Sequence, residues 1–419
     1  MRLRLFLVLA GLSSASAIGS DSPASWVEIG GGLPRTGQWR NGFDLADFDG
    51  DGRLDLAHGP PRRSLGKPAI FLGRGDLHFQ RWEQTSFPQL PFDYGDAAAA
   101  DFDGDGHADL ALGVHYRGLV VLAGDGHGGF RVQTSYLAVE PPDPGAPAFS
   151  SRALVVGDID GDGRADLVAL GEGPRPGSAL PRGAYGVRVL LNRLPGPWEW
   201  RELHPAQGRL FGNDVTLGDF DGDGRIDLAA ASSVQSQRRV LFWGDGAGGF
   251  VSGELAAARP RSYIESIIAA DFDGDGDDDL ALAFSDLRGA NESNGVDLLT
   301  SQGNRSWRSR ELPWDDESGR PTAVGVGDFD GDRDPDLVVL TASGALALFE
   351  NDQGRLRPGA GLSSDRAGRG CRGYHVQLAD LDGDGRDEVL AGFADERCPG
   401  GGSLRGWKWS SGTESAPES

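Results

Sequence analysis

Seven stretches of this chain share one eleven-residue pattern, and nothing else in the sequence restricts the fold so strongly. They read DFDGDGRLDLA from Asp47, DFDGDGHADLA from Asp101, DIDGDGRADLV from Asp158, DFDGDGRIDLA from Asp219, DFDGDGDDDLA from Asp271, DFDGDRDPDLV from Asp328 and DLDGDGRDEVL from Asp380. Their starts lie 54, 57, 61, 52, 57 and 52 residues apart. Self-similarity at a near-fixed period marks a repeat architecture in which each copy is one supersecondary unit. The 419 residues are therefore read as one array, not as the roughly three domains that length alone would suggest.

Positions 1, 3 and 5 of the pattern are Asp in every copy, and position 9 is Asp except for Glu388 in the last. So many carboxylates in nine residues repel one another unless a cation lies between them. An Asp-Gly turn without metal would need the glycines but not four acids in register seven times. Side-chain oxygens at 1, 3 and 5 with a backbone carbonyl at 7 are how a calcium loop wraps its ion, and glycine at 6 allows the sharp turn. The candidate ligand sets follow, each with its position-7 carbonyl. They are Asp47, Asp49, Asp51 and Asp55 with Arg53; Asp101, Asp103, Asp105 and Asp109 with His107; Asp158, Asp160, Asp162 and Asp166 with Arg164. Next come Asp219, Asp221, Asp223 and Asp227 with Arg225, and Asp271, Asp273, Asp275 and Asp279 with Asp277. The last two are Asp328, Asp330, Asp332 and Asp336 with Asp334, and Asp380, Asp382, Asp384 and Glu388 with Arg386. An EF-hand would close with Glu at position 12, where this chain has His58, Leu112, Ala169, Ala230, Leu282, Val339 and Ala391. The fourth carboxylate comes at 9 instead, and a β-prone apolar run follows it.

The formal charge of −23 argues against nucleic acid as a partner, but 28 of the 63 acidic residues occupy those four loop positions. Seven divalent ions would bring the sum to −23 + 14 = −9. The N-terminus, MRLRLFLVLAGLSSASA, has two arginines, a short apolar run and Ala15-Ser16-Ala17. That is the form of a cleavable secretory signal over residues 1–17, and no segment offers 18 apolar residues in a row for a membrane span. The chain is thus expected to be secreted, periplasmic or at the cell surface, with a polar tail at 411–419. Cys371 and Cys398 lie almost symmetrically about the last loop. If that loop joins two antiparallel strands, they face each other at the far end of the hairpin, and export favours a disulfide.

Each repeat carries four strand-like runs. In the fourth repeat these are DVTLGD, DLAAAS, RRVLFWG and FVSGELA. The run entering each loop ends in Ala or Gly, which suits a crowded innermost strand. Position 2 is apolar throughout (Phe48, Phe102, Ile159, Phe220, Phe272, Phe329, Leu381), as expected for packing between units. After the seventh loop only two further strands remain, ending in SLRGWKW. The missing fourth is found at the other terminus, where WVEIGGGLP begins at Trp26. Trp26 to Leu33 is therefore expected to complete the blade built from residues 374 to 409, closing an all-β ring of seven four-stranded blades over residues 18–410.

With its seven D-x-D-x-D-G-x-x-D loops across the mature chain, the sequence resembles the FG-GAP/VCBS repeat proteins, of which integrin α-subunit propellers are the best known. The resemblance implies a seven-bladed β-propeller with up to seven calcium ions in the hairpin loops between strands one and two. Departures are Arg333 where glycine is expected, Pro335 beside it, and Glu388. A non-glycine residue in a left-handed turn costs about 1–2 kcal/mol, so the Asp328 loop is expected to bind its ion most weakly.

Such loops would leave the blade-to-blade links and strand 2–3 loops on the opposite face. The links read RTGQWRNGF, LPFDYGD, GRLFGND, RPRSYIE and RGCRGYH, and the strand 2–3 loops add Arg62, Arg63, Lys67, Arg175, Arg182, Arg238 and Arg239. Arg and aromatic enrichment marks recognition surfaces, although these arginines could equally pair with nearby acids. The expected function is a binding or adhesion module for a glycan or a partner protein, with structural calcium and no catalysis. The alternatives are a polysaccharide lyase or hydrolase using His58, His115, Tyr116, Tyr374 or His375, and a self-assembling surface component.

Overall fold

The computed structural model describes residues 25–64, 66–115, 117–135, 149, 151–173, 185–204, 210–232, 240–254, 263–285, 293–314, 319–363 and 365–410. The proposed signal, the polar tail, Tyr116, Arg175, Arg182, Arg238 and Arg239 lie outside them.

Among the described residues, twenty-eight strands form seven four-stranded antiparallel sheets. Blades 1 to 6 span residues 43–81, 97–135, 151–203, 212–254, 263–311 and 321–358, each with its strands in chain order. Blade 7 uses Arg372–Ala379, Glu388–Ala394 and Gly402–Ser410, and its outer strand is Ser25–Ile29 from the other end of the chain. Trp26 pairs with Trp409, so the N-terminal strand completes the last blade as the sequence predicts, although it ends at Ile29 and not at Leu33. A charge-assisted pair reinforces the seam, because Arg405, nearly fully buried, reaches Glu28 at 2.6 Å. First strands of adjacent blades pack on one another around the axis.

The reason the ring holds lies in its apolar clusters, each of which straddles two blades. Phe48 of blade 1 packs with Phe130 of blade 2, Phe102 with Trp198, and Phe220 with Trp307. Phe329 of blade 6 meets Trp26, the closing residue, at 5.5 Å. Ile159 clusters with Phe250, Phe272 with Leu356, and Leu381 with Phe79, which completes the circuit. Position 2 of every loop is thus the apolar plug of the next blade. A fully buried aromatic side chain contributes roughly 2–3 kcal/mol, so an open joint would forfeit an entire cluster.

The disulfide joins Cys371 to Cys398 with Cα atoms 5.1 Å apart. It spans the end of the blade 7 hairpin remote from its loop, as expected.

Candidate metal centres and the axial pocket

Each loop is first shaped by its own carboxylates. In loop 1, Asp47 Oδ1 accepts from the backbone N–H of Gly50 (2.8 Å) and Asp51 (3.0 Å), and Oδ2 accepts from Gly52 (2.8 Å). Glycine at position 6 is left-handed in six loops, and Arg333 adopts the same form with φ 77°. Asp55 at position 9 is fully buried. Its oxygens accept from Phe48 N–H (2.9 Å) and from Gly73 N–H at the end of the third strand (2.7 Å). One carboxylate therefore locks the hairpin to its neighbour.

The structure brings positions 1, 3 and 9 together. In loops 1 to 5 one oxygen from each lies within 4.8 Å of the others, and two more such groups occur among the described residues. Position 5 stands apart. In all seven loops its carboxylate accepts the position-7 N–H at 2.9 to 3.1 Å. Burial, reinforced by the neighbouring acids, pushes Asp55, Asp109, Asp227 and Asp279 up to about 7, Asp166 to about 6 and Asp336 to about 8.

The donor sets fit a hard cation. All offer oxygen only, and Oδ1 of Asp103, Asp160 and Asp221, each at position 3, is buried without a hydrogen-bond donor. Arginines take only the other oxygen of those groups: Arg131 on Asp103, Arg193 on Asp160 and Arg305 on Asp221. Two acids outside the candidate sets clip loops to one another. Asp278 accepts from Asp219 N–H and Asp387 from Asp328 N–H, both at 2.9 Å. Only a second acid directly before position 9, present in loops 5 and 7 alone, could have signalled them.

The axial channel is a pocket of about 810 Å³ lined by first strands. Three of its carboxylates stitch neighbouring blades. Asp44 accepts from Ala99 N–H, Asp96 from Leu154 N–H (both 2.8 Å), and Asp214 from Ile267 N–H (3.0 Å). Gln377 donates to Asp44 at 3.0 Å across the closing joint. Burial holds Asp96 at about 8, Asp214 at about 6, and Asp44 above the usual carboxylate range.

Arg40 and Arg372 also line this pocket, each with its guanidinium carbon 5.1 Å from the centre of the Tyr374 ring. The expectation that arginines on this face pair with acids holds for several. Arg372 and Arg320 meet Glu265, and Arg62 and Arg63 meet Glu396. Lys67 is exposed. Of the histidines, His58 is fully buried and held at about 4 by that burial, so it cannot meet a polymer. His115 is paired with Glu172 at 2.7 Å, and His375 lines the pocket, also held at about 4 by burial.

A family model described as FG-GAP-like repeat matches residues 62–112, 219–282 and 328–391. This chain carries FG-GAP-like repeats on a seven-bladed propeller. Two curated proteins of Bacillus subtilis (strain 168) are similar to part of it. Rhamnogalacturonan endolyase YesW is 26% identical over 260 residues, covering 58% of this chain and 38% of that protein. Rhamnogalacturonan exolyase YesX is 24% identical over 266 residues, covering 60% and 39%. The chain thus spans about two fifths of the length of these relatives. Among solved structures, BBS1N in complex with ARL6DN matches with TM-score 0.51 at 13% identity, over 92% of this chain and 97% of that one. That likeness concerns the fold alone. Among the described residues no helix is long and apolar enough to cross a membrane.

Proposed function

We propose that the protein is an exported, calcium-stabilised propeller that binds an acidic polysaccharide at the mouth of its axial pocket. The carrying observation is Arg40. It is half-buried, lines the pocket beside Tyr374, has a buried Nε without a hydrogen-bond partner, and forms no salt bridge among the described residues, Asp395 acting on it only at longer range. A desolvated guanidinium favours a planar anion such as a sugar carboxylate, and an aromatic ring beside it offers a stacking face. Calcium is the fitting ion for oxygen-only loops in an extracellular setting, where it acts by favouring the folded state. The signal-like N-terminus and the disulfide support export.

The curated relatives named as rhamnogalacturonan lyases favour a uronate-bearing polymer and also give a second reading, in which the chain cleaves it. A lyase needs a proton acceptor matched to the working pH. The pocket histidine, His375, held at about 4, is a weak one, which favours binding over turnover. The test uses residues 18–419 in millimolar calcium with acidic and neutral polysaccharides, scoring retention and new unsaturated chain ends. Retention of acidic polymer, weakened roughly tenfold in Arg40→Ala as for an interface anchor, supports the binding reading. New chain ends would replace it with the lyase reading, and retention independent of polymer charge would remove both.

A further inference from the structure

Loop 7 differs from the others in what faces its acids. Lys408 Nζ lies 2.6 Å from Asp382 Oδ2 (position 3), 2.6 Å from Asp384 Oδ2 (position 5) and 3.3 Å from Glu388 Oε1 (position 9). Its side chain is only 15% exposed. Elsewhere arginines meet the same Oδ2 of position 3, and Arg193 also reaches Asp162 at position 5 (3.2 Å). Among the described residues, however, Lys408 alone extends to the position-9 acid. Arg131, Arg193 and Arg305 leave Oδ1 of position 3 buried and unpartnered. The position-9 acids of loops 1 to 6 accept a backbone N–H from the third strand, from Gly73, Gly124, Asn192, Gly244, Ser301 or Asn351, at 2.7 to 2.8 Å. Glu388 gives one oxygen to Leu381 N–H, and its other oxygen, buried without a hydrogen-bond donor, faces the ammonium at ion-pair distance, 3.3 Å.

Register makes the substitution specific. The residue equivalent to Lys408 in the other blades, one beyond the partner of loop position 10, is Leu72, Ala123, Leu191, Trp243, Thr300 or Glu350. Only blade 7 places a base there. A lysine ammonium is a compact point charge with three donors, and here it addresses two of the three positions that converge in the other loops, 3 and 9, together with position 5. Glu388, one methylene longer than Asp, is the partner such an arrangement requires. The two departures from the repeat, Glu388 and Lys408, are one device.

We infer that Lys408 stands in for the divalent ion in loop 7, so that the blade joining both chain ends is clamped by its own side chain and takes up no calcium. The inference rests on the reading that the other loops hold calcium. It gives the ring a closing joint whose loop stays neutralised when calcium falls.

The test counts bound ions by native mass spectrometry in saturating calcium for the wild type, Asp382→Asn, Asp49→Asn and Lys408→Met. Asp382→Asn is expected to leave the wild-type count unchanged, Asp49→Asn to lower it by one, and Lys408→Met to raise it by one. A count lowered by one in Asp382→Asn would overturn the inference, because loop 7 would then hold an ion. Lys408→Met with an unchanged count would overturn it equally. Should Lys408→Met not fold, the two Asp variants decide. A wild type that binds no calcium at all would remove the calcium reading itself, a different failure.

Discussion

At the loop rim, carboxylates stand in sets of four and recur seven times. Inside the channel, Asp44, Asp96 and Asp214 occur singly, Asp44 and Asp214 on the first strands of blades 1 and 4 and Asp96 immediately before that of blade 2. Both sets stitch the ring, and both must avoid paying for bare buried charge. They do so by different means. The rim acids at positions 1, 3 and 9 face one another across gaps of under 5 Å, and in loops 2, 3 and 4 one oxygen at position 3 has no donor. The channel acids each take backbone donors from the next blade, and their ordinary charge is suppressed by burial. A cation is the device proposed for the repeated sites, whereas the unrepeated ones rely on backbone donors from the next blade and on burial, which raises Asp96 to about 8.

The largest effect expected from this contrast follows calcium removal. At free calcium one hundred times Kd, a site that exists only in the folded chain contributes about 2.7 kcal/mol. Several such sites together rival the roughly 5–15 kcal/mol by which a domain is stable. Chelation should lower Tm by roughly 20 °C or unfold the ring outright, read by circular dichroism with and without chelator. An unchanged Tm would erase the difference between rim and channel.

Next in size is the crosslink at the end of blade 7 where no loop lies. Replacing both Cys371 and Cys398 by Ser should cost about 3 kcal/mol by releasing a loop of 27 residues in the unfolded chain. The readout is the denaturant midpoint in saturating calcium, before and after substitution. If the loss is the same with the wild type under reducing conditions, the disulfide is its source. A loss near zero would mean that Lys408, Arg405 and the Trp26 cluster close the ring without help.

The channel acids give a pH signature of opposite sign to ordinary acid unfolding. Asp96 titrates at about 8 when folded against an ordinary 3.8, because burial disfavours its charge. The folded chain therefore binds the extra proton between those values, and stability falls as pH rises from about 4 to about 8. The stability at stake for this group is on the order of a few kcal/mol. With calcium saturating to hold the rim constant, Asp96→Asn should flatten that slope, measured by denaturant unfolding across the range. A slope unchanged by the substitution would assign the channel acids to the same regime as the rim.

These two regimes also explain what could be read from sequence. Seven-fold recurrence made the loops, the blade count and even the closing strand at Trp26 legible, because a periodic pattern repeats its own argument. Position 2 was legible as interblade packing for the same reason. Asp44, Asp96 and Asp214 were not, since a single Asp on a strand looks like any polar residue until the neighbouring backbone is in place. Lys408 escaped notice because its partners lie 20 to 26 residues earlier and meet it only through strand register. At position 5 the carboxylate also accepts the position-7 N–H, a contact that the pattern of acids does not announce.

The smallest effect concerns loop 6, where the repeat departs in backbone and not in charge. Arg333 occupies the left-handed position with φ 77°, yet its N–H still donates to Asp328 Oδ2 at 2.8 Å, as the glycines do elsewhere. The loop keeps its form and carries only the strain, about 1 kcal/mol. Arg333→Gly should recover that in stability and, if the strain is relieved more fully when the loop tightens on an ion, raise the affinity of this one site up to about fivefold. Calorimetric titration separates the outcomes. A gain in stability without a gain in affinity means that strain burdens the ion-bound and ion-free loops alike. A gain in affinity makes loop 6 the weak site of the rim, next to a loop 7 whose cation is covalently its own.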